Sequence, residues 1–291
     1  MAIRHLIEVP SHRLLLMEYN WSPGDTYKVS LFYRYARIDD VDLLIDEFKG
    51  LCKQLDLLGR ILVSSEGING TLAGSICSID VFEQKLREYS QFKLIDIKYS
   101  TGQGSSLPFH DLSIRRVDEI ISCGLTARSF IDANIQFDDH TFGGIVGTGV
   151  HLSPQEFHEG VQKFDSIVLD IRNKFEYDIG HFEKAIGVDT YQYAETFDNL
   201  DNILSCDASD SLNLDTQTVD KPIYMYCTGG IRCEKASAYL KAKGFNSVYQ
   251  VSVCICFILS LIHFVIVTRR HSQVPGSLPR WRKFQRKEFC F

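Results

Sequence analysis

The feature that most restricts the fold of this chain is a strand, a glycine-bearing loop and a helix around residue 227. The apolar run PIYMYC (222–227) predicts a buried strand, and the loop CTGGIR overlaps its last residue. The helix expected next, CEKASAYLKAK, stops before Gly244, a residue suited to a helix C-cap. Such a unit places Cys227 at the carboxyl end of a parallel strand, where open α/β sheets carry their ligand sites.

The loop favours a thiolate at Cys227. Gly229 and Gly230 allow the backbone to curl so that several amides point at one sulfur, and the helix N-terminus adds partial positive charge. A free cysteine titrates at about 8.5, and cationic neighbours such as Arg232 and Lys235 can lower that pKa by one to several units. We therefore expect Cys227 to be a nucleophile at neutral pH, rather than the inert buried thiol that cysteine usually becomes.

The spacing within the loop separates two chemistries. A phosphatase cradle needs Cys-x5-Arg to encircle a phosphate, whereas here Arg232 follows Cys227 at Cys-x4-Arg. The smaller ring suits a sulfur atom. Cys233, at the first turn of the helix, could resolve a persulfide or sulfenate on Cys227 as a disulfide if their Cα atoms come within about 7 Å.

The first half of the chain predicts a split βαβ domain. Strand and helix patterns alternate over residues 27–122 in the order β-α-β-β-α-β. Apolar residues recur at helical spacing in the first helix, and Asn69-Gly70 is a two-residue hairpin signal. The helical set is Leu43, Leu44, Phe48, Leu51 and Leu55. A ferredoxin-like domain is the economical interpretation.

A second α/β domain is expected after a glycine-rich linker. Ser153 predicts a helix N-cap, with Pro154 at the first position and Glu156 completing a capping box. The apolar run SIVLD then suits a parallel strand. The predicted division is an extension (1–26), a ferredoxin-like domain (27–123), a linker (124–150), an incomplete second domain (151–250) and a divergent tail (251–291).

Charge and cysteine content narrow the class of protein. The formal net charge is −6, which is not the basic balance of a dedicated nucleic-acid binder. The nine cysteines form no regular framework, and the N-terminus lacks the apolar core of a signal peptide. We expect reduced thiols in the cytoplasm. The cysteine spacing predicts no metal site, and we expect no cofactor.

Four stretches, taken in order, resemble one known family. They are EGINGTLAGS (66–75), GVHLSPQEFH (149–158), VLDIRNKFEYDIGHF (168–182) and MYCTGGIRCEKASAYLKAKGF (225–245). They are similar to rhodanese-like sulfurtransferases, in the branch with a ferredoxin-like domain ahead of one rhodanese domain. That branch includes the bacterial tRNA uridine-34 5-hydroxylases and the animal thiosulfate sulfurtransferase/rhodanese-like domain-containing proteins. The resemblance covers roughly residues 27–250.

Site residues follow from the resemblance by position. Cys227 matches the persulfide-forming nucleophile, and Cys233 matches a second cysteine characteristic of the branch. The substrate-binding loop that wraps the sulfur corresponds to Thr228, Gly229, Gly230, Ile231 and Arg232. Asp170 and Arg172 fall on the rhodanese D-x-R pattern, where an ion pair that supports a strand end is expected rather than a catalytic group.

Three functions remain open at this point. The leading prediction is a sulfurtransferase, in which Cys227 takes sulfur from a sulfane donor such as thiosulfate and passes the persulfide sulfur to an acceptor. The second is 5-hydroxylation of a tRNA wobble uridine by Cys227 and Cys233, with tRNA as the partner. The third is a catalytically inactive rhodanese binding module or a retained-intron isoform.

The tail departs from the family. After Gln250 the family continues with a Leu-x-Gly-Gly turn and a closing helix, whereas this chain reads VSVCICFILSLIHFVIVTRR. Val251-Ser252 is what an in-frame splice donor GTAAGT would encode, so one hypothesis is a translated intron. The alternative is membrane attachment through residues 251–267, an apolar run at the short end of the ~17–25 residues needed to span a bilayer. The basic residues that follow it argue against that alternative.

Overall fold

The computed structural model describes residues 22, 24–104, 106–124, 131, 136–138, 141–204, 221–252 and 266–267. The chain divides into two compact units, Met1–Ile120 and Ile121–Phe291. Both units mix helices with a β-sheet, so the predicted α/β class is confirmed. The finer domain boundaries drawn from the sequence stay a prediction.

The first unit has the ferredoxin-like order expected from the sequence. Its elements are β1 (Thr26–Tyr35), α1 (Val41–Gln54), β2 (Leu58–Ser64), β3 (Gly67–Ser75), α2 (Ile76–Glu88), β4 (Asp96–Gln103) and β5 (Leu112–Arg116). The sheet order is β4-β1-β3-β2-β5, with β5 parallel to β2 and the other pairs antiparallel. Strand β5 was not predicted.

The core of this unit lies between the sheet and its two helices. Phe32 of β1, Phe48 of α1 and Phe82 of α2 are fully buried and pack ring against ring. Asp40 caps α1 by accepting a hydrogen bond from the Leu43 amide. Leu44, Phe48 and Leu55 are buried as the helical pattern predicts, but Leu43 is 56% exposed and does not belong to the core.

The hairpin turn does not lie at Asn69-Gly70, so that prediction was wrong. Strands β2 and β3 are joined through Ser65 and Glu66, and Asn69 and Gly70 lie inside β3. Gly70 faces the Phe32 ring so closely that a Cβ there would lie 2.5 Å from it. The glycine is thus explained by close packing between neighbouring strands rather than by a turn.

The second unit is built on a parallel sheet. Its elements are β6 (Val150–Leu152), α3 (Pro154–Val161), β7 (Ile167–Asp170), α4 (Lys174–Ile179), β8 (His181–Phe182), β9 (Ile186–Gly187), α5 (Thr196–Leu204), β10 (Ile223–Tyr226), α6 (Ile231–Ala242), β11 (Val248–Val251) and β12 (Ile266–Val267). The order β6-β11-β10-β7-β9 is parallel throughout. β10 therefore lies at the centre, flanked by β7 and β11.

Helix α3 begins where the sequence predicts. The Ser153 hydroxyl accepts from the Glu156 amide, and the Glu156 carboxylate accepts from the Ser153 amide, which completes the capping box. Gly160 of this helix packs on the Tyr224 ring of β10, where a Cβ would lie only 2.2 Å from ring carbon. The helix can approach the sheet closely because this residue has no side chain.

Part of the divergent tail joins the second unit. The Ser252 amide and hydroxyl both donate to the Leu152 carbonyl, and β12 pairs antiparallel with β8. The hypotheses of a translated intron and of membrane attachment concern mainly residues 253–265 and 268–291. These residues lie outside the described part of the chain. Among the residues that the structure describes, no helix is both long and apolar enough to cross a membrane.

Candidate active site

Strand β10 ends at Tyr226 and delivers Cys227 into the loop that precedes α6. Gly230 has φ +97°, a left-handed conformation that favours glycine, and its amide donates to the Cys227 Sγ over 3.1 Å. The Cys233 amide donates to the same sulfur. The loop curls around one sulfur atom, as the two glycines predict.

The Cys227 thiol is strongly acidified. Burial opposes its ionisation, since the residue is only 1% exposed. The hydrogen bond from the Cys233 thiol, the Arg232 charge and the loop amides outweigh that cost and lower the pKa of Cys227 to about 5. Cys227 is therefore a thiolate at neutral pH, which is the nucleophilic form of cysteine.

Cys233 is the complementary half of this pair. Burial, followed by the hydrogen bond to Cys227 and the charge on that sulfur, raises the pKa of Cys233 well above its usual range. The proton of the pair therefore lies on Cys233, and its thiol donates toward the Cys227 thiolate. One nucleophilic thiolate next to one protonated thiol is an arrangement suited to two-electron thiol chemistry.

Arg232 is held in place by a carboxylate that the sequence analysis missed. Glu176 of α4 accepts from Arg232 Nη1 over 2.7 Å and from Nη2 over 3.0 Å, a bidentate ion pair. The Thr228 hydroxyl donates to Glu176 Oε1 over 2.6 Å and accepts from Arg232 Nη2 over 3.0 Å. Glu176 thus ties the first and last residues of the loop together.

The environment of Glu176 keeps it ionised. Burial acts against the charge, but the bonds from Arg232 and Thr228 and a backbone bond from Asn173 lower the pKa of Glu176 to about 2. A sequence signal existed, because Asn173 and Glu176 form the capping box of α4. That signal predicts a helix start and says nothing of a contact with the Cys227 loop.

The D-x-R pair forms a buried support below the site. Arg172 donates to both Asp170 oxygens, with Nη2 to Oδ2 at 2.6 Å, and also donates to the Gly180 carbonyl. The Tyr226 hydroxyl donates to Asp170 Oδ2 over 2.7 Å. These contacts join the carboxyl ends of β7 and β10, and a role for Asp170 and Arg172 in supporting the strand that carries Cys227 stays a prediction.

The remaining predicted loop residues have backbone roles. Ile231 begins α6, and Gly229 lies within the curl beside Gly230.

Two residues outside the loop differ from the sequence-based expectation. The Tyr193 hydroxyl, which was not predicted, donates a hydrogen bond to the Arg232 carbonyl over 2.6 Å. Lys235, expected beside the thiolate, is instead fully buried with its ammonium donating to the Ile121 carbonyl over 3.2 Å.

Comparisons with known proteins place each part of the chain in a known family. Residues 27–120 match the family described as "UPF0176 acylphosphatase like domain", and residues 153–252 match the "Rhodanese-like domain". A protein from Pseudarthrobacter chlorophenolicus named tRNA uridine(34) hydroxylase is 38% identical over 229 residues, which cover 77% of this chain and 70% of that protein. The chain belongs to this rhodanese-like family. The resemblance drawn from the sequence is confirmed.

Other family members carry the same name. The tRNA uridine(34) hydroxylase of Bacillus pumilus is 38% identical and that of Staphylococcus saprophyticus 37% identical, each over 225 residues and 77% of this chain. This chain spans 62% and 63% of the length of those two relatives. Among solved structures, a rhodanese-like domain from Anabaena sp. aligns with 46% of this chain and 91% of that chain, with 14% identity and a TM-score of 0.32.

Proposed function

We propose that this chain hydroxylates C5 of a tRNA wobble uridine, with Cys227 as the reacting thiolate and Cys233 as its partner thiol. The observation that carries the proposal is the pairing of a Cys227 thiolate with a protonated Cys233 in a chain whose relatives are named tRNA uridine(34) hydroxylases. This reverses the order of the sequence-based predictions, in which sulfur transfer led.

The first step uses the nucleophilicity of Cys227. The thiolate adds to C6 of the uracil, forms a C–S bond and leaves C5 as an enolate carbon. That carbon takes up dioxygen and a proton to give a C5 hydroperoxide. Loss of the C5 proton expels the Cys227 thiolate and restores the C5–C6 double bond.

The second step uses both thiols. The Cys227 thiolate attacks the distal peroxide oxygen, which leaves the C5 oxygen on the uridine and converts Cys227 to a sulfenic acid. The Cys233 thiol then displaces water and forms a disulfide with Cys227. In total, uridine, dioxygen and two thiols give 5-hydroxyuridine, water and one disulfide, which an external thiol must reduce before the next turnover.

Loop residues hold the reactants rather than react. Arg232, fixed by Glu176, places its positive charge where it stabilises the thiolate that attacks and later leaves. Because Cys227 is 1% exposed, a uracil reaches its sulfur only after neighbouring side chains move. None of the described cysteines is in a disulfide, namely Cys52, Cys77, Cys123, Cys227 and Cys233. Because each turnover leaves a disulfide that an external thiol must reduce, the reaction fits the reducing cytoplasm proposed from the sequence.

The decisive experiment incubates the purified full chain with an unmodified tRNA transcript in air and under argon. Nucleoside mass spectrometry should detect 5-hydroxyuridine only in air, and heavy oxygen gas should label it. Cys227→Ser should abolish the product. Cys77→Ser, which removes a thiol on α2 in the first unit, is the matched control and should leave it unchanged. Product formed equally by Cys227→Ser would overturn the assignment.

Sulfur transfer is the second candidate, because the amides that surround Cys227 would also stabilise a persulfide. Intact mass spectrometry after exposure to thiosulfate distinguishes the two. A sulfur atom gained by the wild type and not by Cys227→Ser, without 5-hydroxyuridine in the first assay, would favour sulfur transfer. The absence of both 5-hydroxyuridine and a persulfide would favour the inactive binding module.

A further inference from the structure

Two large aromatic side chains are exposed on segments that hydrogen-bond to the Cys227 loop. Phe175 is 56% exposed and Tyr191 is 67% exposed. Phe175 directly precedes Glu176, whose carboxylate binds Thr228 and Arg232 of the loop. Neither ring contributes to the apolar core, so packing does not account for them.

Hydrogen bonds bring the two segments together at one border of the site. The Lys174 amide donates to the Thr190 carbonyl over 2.6 Å, so the residues next to Phe175 and Tyr191 are bonded to each other. The Lys174 ammonium also lies 2.8 Å from Asp189 Oδ1. Two residues beyond Tyr191, the Tyr193 hydroxyl reaches the Arg232 carbonyl. Both exposed rings therefore belong to segments fastened to the loop around Cys227.

We propose that Phe175 and Tyr191 form a stacking platform for the unpaired bases next to the reacting uridine. The inference rests on the proposed function, and it adds the residues that would hold the single-stranded loop around the uridine. Unpaired bases stack on aromatic side chains in most single-strand recognition, since every base offers a flat π-face. Stacking one base on each ring would hold the uridine between them at the thiolate.

The charges at this border favour bases over phosphates. Lys174, which directly precedes Phe175, is paired with Asp189 at 2.8 Å and with Asp178 at 3.8 Å. One ammonium shared by two carboxylates leaves a local excess of negative charge, which does not attract a phosphate. The aromatic rings are the feature through which this border can hold RNA.

The test is fluorescence anisotropy with a labelled anticodon stem–loop whose wobble base is an unmodified uridine, bound to the full chain at several salt concentrations. Phe175→Ala and Tyr191→Ala should each weaken binding by about 5-fold or more, the lower end of what one stacked base contributes. Phe175→Tyr and Tyr191→Phe should restore it. Because no phosphate contact is lost, the salt dependence of the dissociation constant should be unchanged.

Phe164→Ala is the matched control. Phe164 is fully exposed and precedes β7. It therefore lies near the amino ends of the parallel strands, whereas Cys227 follows the carboxyl end of β10. Its loss should not change binding.

Equal affinities for the wild type, Phe175→Ala and Tyr191→Ala would overturn the platform, even if the wild type makes 5-hydroxyuridine. Ring-dependent binding without any 5-hydroxyuridine would support the platform and count against the proposed reaction instead.

Discussion

Replacing Cys233 with alanine removes the thiol that donates a hydrogen bond to the Cys227 sulfur. The wild-type environment lowers the pKa of Cys227 from its ordinary value of about 8.5 to about 5, which amounts to roughly 5 kcal/mol of thiolate stabilisation at ~1.36 kcal/mol per pKa unit. A hydrogen bond to a charged group contributes about 1.5–3 kcal/mol of this. The pKa of Cys227 in Cys233→Ala should therefore rise by about 1–2 units.

The assay is the rate of Cys227 alkylation by iodoacetamide as a function of pH, with peptide mass spectrometry to separate this site from the other cysteines. The rate follows the thiolate fraction, so its midpoint reports the pKa of Cys227. Cys233→Ser is the matched control, because its hydroxyl can still donate to the sulfur and should keep the midpoint nearer that of the wild type.

The same midpoint for Cys233→Ala and the wild type would refute the hydrogen bond from Cys233 to Cys227. That result would mean that the loop amides and Arg232 alone acidify Cys227. It would also remove the argument that the proton of the pair lies on Cys233. A midpoint near 9 in the wild type itself would refute the thiolate at neutral pH.

Two further predictions concern stability, measured by urea unfolding of the full chain. The pKa of Glu176 is lowered from 4.5 to about 2, so its carboxylate adds stability that is complete above pH ~4.5 and is lost as the pH falls toward 2. In Glu176→Gln the free energy of unfolding should fall less between pH ~4.5 and 2 than in the wild type, by up to about 3 kcal/mol. The same pH dependence in both proteins would contradict the lowered pKa of Glu176. Asp170→Asn leaves the Arg172 charge buried and should cost about 3–5 kcal/mol. Asp39→Asn, in a largely exposed pair with Arg37, should change stability by less than about 0.5 kcal/mol. Equal losses for the two variants would show that burial is not the cause.

Local signals in the sequence determined much of this protein. The capping residues Ser153 and Glu156 fix the start of α3, because the atoms involved are three residues apart. The run of apolar residues before Cys227 and the glycines after it define a strand and a curled loop, from which the sequence predicts the nucleophile. The alternation of helix and strand patterns gives the ferredoxin-like order of the first unit.

Tertiary structure decided what depends on contacts between distant residues. Glu176 binds Thr228 and Arg232 across 52 and 56 residues, and only folding brings them together. The Asn69-Gly70 pair has the local propensity of a turn, yet its fit against neighbouring strands placed it inside β3. Propensity acts over a few residues, whereas packing and ion pairing act through space. The sequence alone therefore predicted the loop at Cys227, and only the fold showed that Glu176 binds it.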